Sequence, residues 1–116
     1  KALENTKEIN CIQLLTAVLP GADRDTLRNL ADNFREKYSS GAAVLATIVN
    51  GKPALVATLT DDLVKKGLKA GDLINVVAIP LGGKGGGRPH MAQAGGEDAE
   101  MIEEALENAE AWVNEI

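Results

Sequence analysis

Asn50-Gly51 stands between two runs that favour extended backbone, Ala42–Val49 and Ala54–Leu59. Asn-Gly accepts positive φ at both central positions of a two-residue turn, so flanked this way it is the strongest short-range signal for a β-hairpin. Pro53, separated from the turn by Lys52, must then take a position that needs no ladder donor. Upstream, Ile9–Leu19 is apolar apart from Asn10, Gln13 and Thr16 and ends at Pro20-Gly21, which predicts one mostly buried strand that includes Cys11. Asp23 can cap a following helix with Asp25 in its first turn, and Leu27, Leu30, Phe34 and Tyr38 recur at helical spacing before Ser39-Ser40-Gly41. Thr60 is placed to cap a short helix that opens with Asp61-Asp62 and closes at Lys65-Lys66-Gly67.

Ala70–Leu81 is ambiguous by pattern. Leu73, Ile74, Val77 and Leu81 fit a helical face, with Gly71-Asp72 as its start, while Ile74, Val76, Val77 and Ile79 are β-branched and suit a strand. Asp98–Ile116 reads as an amphipathic helix whose apolar stripe includes Ile102, Leu106, Val113 and Ile116, all expected to be buried. The predicted fold is α/β, a small mixed sheet covered by helices, in the order β-α-β-β-α-α-(glycine-rich loop or strand)-α. One domain over 9–116 is expected, with 1–8 as the stub of a linker from a longer protein.

Composition excludes several classes. Only Phe34, Tyr38 and Trp112 are aromatic, so the core is aliphatic and an aromatic platform for stacking bases is not available; Trp112 is expected to dock the last helix. No apolar run approaches a membrane span and the first residues do not form a signal peptide, so no membrane partner is expected. The lone Cys11 excludes an internal disulfide and fits a reducing cytoplasm. The net charge of −5 argues at first against nucleic acid, but eight of the seventeen acids fall in residues 97–116, where there is no Lys or Arg. The rest of the chain carries twelve bases against nine acids, and binding responds to local potential.

Seven of the twelve glycines lie between Gly82 and Gly96, in the string Gly-Gly-Lys-Gly-Gly-Gly-Arg-Pro-His-Met-Ala-Gln-Ala-Gly-Gly. Without Cβ atoms the backbone of Gly82, Gly83, Gly85, Gly86 and Gly87 can turn its N–H groups into one concavity, an anion site flanked by Lys84 and Arg88. Proline extends the chain at Arg88-Pro89. In a strand beyond it, Gln93 faces away from Ala92 and Ala94. The run ends in Arg-Pro, so it is neither a Walker loop nor a dinucleotide fingerprint. Lys65, Lys66 and Lys69 cluster just upstream, suited equally to complementing a helix end and to touching phosphate.

The string resembles the hallmark near the C-terminus of alanyl-tRNA synthetases, in their DHH-associated domain. The likeness extends upstream through Leu63-Val64-Lys65-Lys66-Gly67-Leu68-Lys69-Ala70-Gly71-Asp72-Leu73-Ile74-Asn75, and Asp23–Tyr38, the Asn50-Gly51 hairpin and the terminal helix fall where that family has them. The resemblance implies that Ala70–Leu81 is a helix. It implies a tRNA-binding domain that grips the outer corner of the tRNA and links aminoacylation and editing modules. Its tRNA-binding residues would be Gly82, Gly83, Lys84, Gly85, Gly86, Gly87, Arg88 and Gln93, with Lys65, Lys66 and Lys69. It further implies that this region is not itself catalytic and holds no cofactor, the ATP and zinc sites lying upstream. His90 departs from the family, which commonly has an acid there.

Two alternatives stand beside it: the substrate-binding domain of a DHH-family phosphodiesterase, and a module that forms homodimers through the C-terminal helix or the sheet. In those phosphodiesterases a histidine follows the glycine run, where this chain has Arg88. A metal site needs three or four ligands, and His90 and Cys11 are the only residues of their kinds. The purified chain is therefore expected to bind no zinc and to hydrolyse no dinucleotide. Stoichiometric zinc in elemental analysis, or cleavage of a dinucleotide, would overturn that expectation.

Overall fold

The computed structural model of the chain describes residues 6–19 and 21–116. The Asn50-Gly51 hairpin forms the centre of the sheet: β3 (Gly41–Val49) and β4 (Lys52–Leu59) pair antiparallel, with Asn50 at φ 53° and Gly51 at φ 79°. Pro53 stands just beyond the ladder that β4 makes with the last strand, and only its carbonyl is used there, accepting the Gly96 N–H at 3.2 Å.

The apolar run expected as one strand over Ile9–Leu19 is instead folded back on itself. β1 (Lys7–Ile9) and β2 (Ile12–Val18) form a hairpin whose turn is Asn10-Cys11, with φ 52° and 66°. Asn tolerates the left-handed region through its short polar side chain, whereas a thiol side chain gives no such signal. Cys11 is consequently exposed in the turn, not packed in a strand. Residues 1–5 of the expected linker, and Pro20, lie outside the described residues.

β2 runs parallel to β3. Parallel neighbours need a crossover, and α1 (Arg24–Lys37) supplies it. Asp23 caps α1 as expected: its carboxylate accepts the Thr26 N–H at 2.8 Å, which holds the carboxyl below its usual range. Thr60 stands at the cap position of α2 (Asp61–Lys65), but its oxygen accepts the Gly41 N–H at 2.9 Å and its hydroxyl donates to Asp62. Burial alone would raise the Asp62 carboxyl; hydrogen bonds from Ser40, Thr60 and the Leu63 amide outweigh it and hold the group low.

α3 (Ala70–Ala78) followed by a 3-10 turn over Ile79–Leu81 resolves the ambiguous stretch as helical. The glycine-rich segment becomes a second edge hairpin, β5 (Lys84–Arg88) and β6 (Met91–Gly95) around Pro89-His90. After a 3-10 turn, α4 spans Ile102–Asn114. The six strands lie in the order β1-β2-β3-β4-β6-β5.

Helices cover both faces of the sheet centre, so β3 and β4 read as nearly unbroken apolar runs. On the front, Leu27, Ala31 and Phe34 of α1 pack on Leu15, Ala43, Leu45 and Val56. On the back, Leu63, Leu73, Ile74, Val77, Ile102, Ala105, Ala109 and Val113 from α2–α4 pack on Leu14, Val44, Leu55 and Ala57. The terminal stripe is thus buried at Ile102 and Val113, but Leu106 is half-buried and Ile116, past the last helical turn, is exposed. Trp112 lies partly buried against the back core and docks α4 as expected.

Close strand approach at the β5 edge depends on glycine. A Cβ at Gly85 would meet the Gln93 carbonyl oxygen and the Ala94 Cβ at 2.5 Å, while at Gly86 no atom of the described residues lies within 4 Å. Gly85→Ala is therefore expected to cost about 1–3 kcal/mol by overpacking. Gly86→Ala is expected to stay within about 0.5 kcal/mol of wild type. Urea denaturation of the two variants checks the contrast, and equal destabilisation would contradict it.

Candidate nucleic-acid interface

Residues paired across an antiparallel ladder share a face, and alternate residues along a strand point the same way. Three rows therefore cross the last three strands on the front: Arg88–Met91–Thr58, Gly86–Gln93–Val56 and Lys84–Gly95–Ala54. Val56 is covered by the α1 core, and Met91 packs at its margin. Beyond them the cover stops. Lys84, Gly86 and Arg88 are exposed and Gln93 is half-buried, with no helix of the described residues over β5 on this side.

The back of the same hairpin is closed. Ala92 and Ala94 are buried beneath α3. The Gly83 N–H donates to the Ala78 carbonyl at 3.1 Å and the Gly85 N–H to Asn75 Oδ1 at 3.0 Å. The Ala70 N–H donates to Pro89 O at 2.8 Å. These contacts correct the expected anion cradle: Gly85, Gly86 and Gly87 lie in an extended edge strand, and the donors of Gly85 and of Gly83 just before the strand are already taken. Gly82, at φ 69°, makes the turn into β5 and lies before the strand. What the segment presents is side chains on an open sheet face.

The expected residues are thus brought together in part. Lys84, Gly86, Arg88 and Gln93 share the front face. Gln93 faces opposite to the buried Ala92 and Ala94, as its alternation with them requires. Gly85 and Gly87 pair with Ala94 and Ala92 and turn toward α3. Lys69 adjoins the β5–β6 turn through Ala70, whereas Lys65 and Lys66 are exposed at the C-terminal end of α2, off the strand face. Asn75, which fastens the edge strand, carried no signal in the sequence because its role exists only once α3 lies along β5. Arg24, also unsignalled, lies over Gly95, its Nη2 3.3 Å from where a Cβ would stand.

The charges are segregated. Among the described residues the ion pairs are Lys7–Glu110, Arg28–Asp25, Arg35–Asp32 and Lys52–Glu97, so Lys65, Lys66, Lys69, Lys84 and Arg88 are free of them. Glu110 of α4 reaches Lys7 on β1, at the sheet edge opposite β5. The acidic helix thus lies away from the cationic strand. Among the described residues, no cluster of His, Cys, Asp or Glu could hold a metal ion and no helix is long and apolar enough to cross a membrane.

Known proteins resemble this chain over most of its length. Residues 12–115 match the model of the DHHA1 domain. An alanine–tRNA ligase from Janthinobacterium sp. (strain Marseille) is 49% identical over 97% of this chain, and one from Geobacillus thermodenitrificans 47% identical over 95%. The chain spans only 13% and 12% of their lengths. The crystal structure of the C-Ala domain from Aquifex aeolicus alanyl-tRNA synthetase superposes with a TM-score of 0.88 at 25% identity, covering 95% of this chain and 98% of that one. A DHH domain described as a member of the s1p family of ribosomal proteins shares the fold, with a TM-score of 0.69 at 19% identity over 99% of this chain and 29% of that one. The chain belongs to the DHHA1 domain family and has the fold of the C-Ala domain.

Proposed function

We propose that this chain is the C-terminal tRNA-binding domain of an alanyl-tRNA synthetase and that it grips tRNA with the open front face of β5–β6. The carrying observation is the exposed row of Lys84, Gly86 and Arg88 beside Gln93, with both cations free of ion pairs and no helix above them among the described residues. A flat cationic face without aromatic platforms suits a phosphate backbone better than unpaired bases. Arg88 offers a planar fork for bidentate phosphate contact, and Lys84 a point charge. Gln93 supplies a neutral donor and acceptor between them. Lys69, and beyond it Lys65 and Lys66, extend positive potential past the β5–β6 turn. The family resemblance adds the outer corner of the tRNA as the place gripped, the linking of aminoacylation and editing modules as the purpose, and the cytoplasm as the setting.

The competing readings have less support. Pairing of two copies through α4 would need its apolar stripe, but Ile102, Ala105, Ala109 and Val113 are consumed within the chain. The phosphodiesterase reading rests on a shared fold alone, with Arg88 where a substrate-binding histidine would stand.

Affinity for tRNA measured across a salt series tests the proposal, with folding checked by circular dichroism. Arg88→Ala and Lys84→Ala should each weaken binding several-fold and each lower the slope of log K against log salt by about one unit, Arg88→Ala costing more. Gly86→Leu should fold yet weaken binding by standing between the two cations. In a full-length synthetase these variants should raise KM for tRNA more than they lower kcat. Unchanged affinity and slope in well-folded Arg88→Ala and Gly86→Leu would overturn the proposal.

A further inference from the structure

The front face continues past the β5–β6 hairpin. Lys52, Ala54 and Val56 alternate along β4, so Lys52 projects from the same side as Gln93 and lies one step beyond the Lys84–Gly95–Ala54 row. Gly95 leaves that row without a side chain at its middle, and the guanidinium of Arg24, first residue of α1, fills the space above it. Arg24, Lys52, Ala54, Gly95 and Gly96 line one shallow cleft there.

The availability of these charges distinguishes them. The other arginines of α1 are engaged, Arg28 with Asp25 and Arg35 with Asp32, whereas Arg24 makes no ion pair among the described residues. Lys52 meets Glu97 at 3.1 Å, but both side chains are about two-thirds exposed (64% and 68%), a pair that water and salt readily exchange. Asp23 also borders the cleft; one of its carboxylate oxygens caps the Thr26 N–H and its negative charge stays beside Arg24. Across two strand spacings, β5 and β4 stand about 10 Å apart. Lys52 lies a further two residues, about 7 Å, along the strand from the Lys84 row, so these cations are spaced as successive contacts on an extended polyanion and not as one unscreened field.

We infer that the phosphate-binding track does not end on the β5–β6 hairpin but crosses it to Arg24 and Lys52, which contact the same RNA backbone as Lys84 and Arg88. This rests on the tRNA-binding reading above and extends it to two residues far from the glycine-rich segment in sequence. Glu97 then acts as a brake, since it competes with phosphate for Lys52.

The salt dependence of tRNA binding separates the inference from the reading beneath it. The variants are Arg24→Gln, Lys52→Gln, Glu97→Gln and Arg88→Ala, with Lys7→Gln as a control at the opposite edge of the sheet. Gln keeps the helix propensity of α1 at position 24, and circular dichroism checks that every variant folds. Arg24→Gln and Lys52→Gln should each weaken binding several-fold and lower the salt slope by about one unit, as a lost phosphate contact does. Glu97→Gln should tighten binding at low salt, and Lys7→Gln should leave the slope unchanged. If Arg88→Ala loses affinity while Arg24→Gln and Lys52→Gln do not, the track ends on β5–β6 and the inference is wrong, the tRNA reading standing. If Lys7→Gln weakens binding as much as Arg24→Gln, the attraction is diffuse and the inference is likewise overturned. If no variant, Arg88→Ala included, changes affinity or slope, both fail together.

Discussion

The β3–β4 hairpin is buried on both faces, and the rest of the chain is arranged to make that possible. Ala42 through Ala46 and Leu55 through Ala57 are fully buried, so neither face of the two strands can meet water. An antiparallel pair alone could leave one face solvated. Here the alternate residues divide between two hydrophobic cores, and helices must be supplied to each. Polar groups at this depth need partners. The buried Thr47, Thr58 and Thr60 find them at the places where the chain enters and leaves the centre. Thr47 Oγ1 lies 2.8 Å from Leu19 O and 2.9 Å from Ala22 O, at the approach to α1. Thr58 donates to His90 O at 2.7 Å, at the β5–β6 turn, and Thr60 receives the first amide of β3. The central hairpin thereby fixes where α1 starts and where the glycine-rich hairpin turns.

An uneven supply of helices follows from this arrangement. Three helices share the back, and α3 reaches the β5 edge. Among the described residues the front has α1 alone, which also has to serve as the crossover between the parallel strands β2 and β3. It covers the centre, reaches β6 with Arg24 over Gly95 and with the core margin at Met91, and runs out before β5. The sheet edge beyond it is bare of necessity, and the side chains suited to a bare, half-solvated surface are polar or charged. The same geometry moves the acids of α4 toward β1, since α4 packs on the back of the β1–β2–β3 side. A chain of net charge −5 can therefore expose Lys84 and Arg88 without acidic partners, because the width of the sheet keeps the acids of α4 away from them.

Much of this could be read before folding was known. Asn50-Gly51, the Asp23 cap and the 3.6-residue spacing of Leu27 and Phe34 are local signals that tertiary contacts then satisfied. Three features were not legible, each for a reason. The Asn10-Cys11 turn hid in an apolar run, because a left-handed Cys has no sequence signature and only the pairing of Ile9 with Ile12 demands it. The glycine run was consistent with a concave loop as well as with a strand. The choice was made by Asn75 and Ala78, whose contacts with it appear only when α3 packs. Ile116 followed the period of its helix yet sits past the end of it, where period no longer implies burial. Of the candidate site, Lys84, Arg88 and Gln93 were identified by the motif, whereas Arg24 could not be, since only the fold carries it across to Gly95.

The glycines of β5 also divide into two kinds, and the division bears on function. At Gly85 a side chain is excluded by the backbone of β6, so the fold alone accounts for glycine there. Gly86 carries no such demand: its φ is not left-handed, and no atom of the described residues lies within 4 Å of where a Cβ would be. Glycine at such an exposed strand position gives up backbone order that most other residues would supply. A residue that weakens a strand without helping it pack is explained when its bareness is itself used, by a partner that must come close to the backbone. Position 86 lies midway between Lys84 and Arg88, about 13 Å from end to end of that row at strand rise. A side chain there would stand as a post between the two cations and over Gln93. Its absence leaves a level surface, so the feature of β5 that the fold does not require is the one that the proposed polyanion-binding face would use.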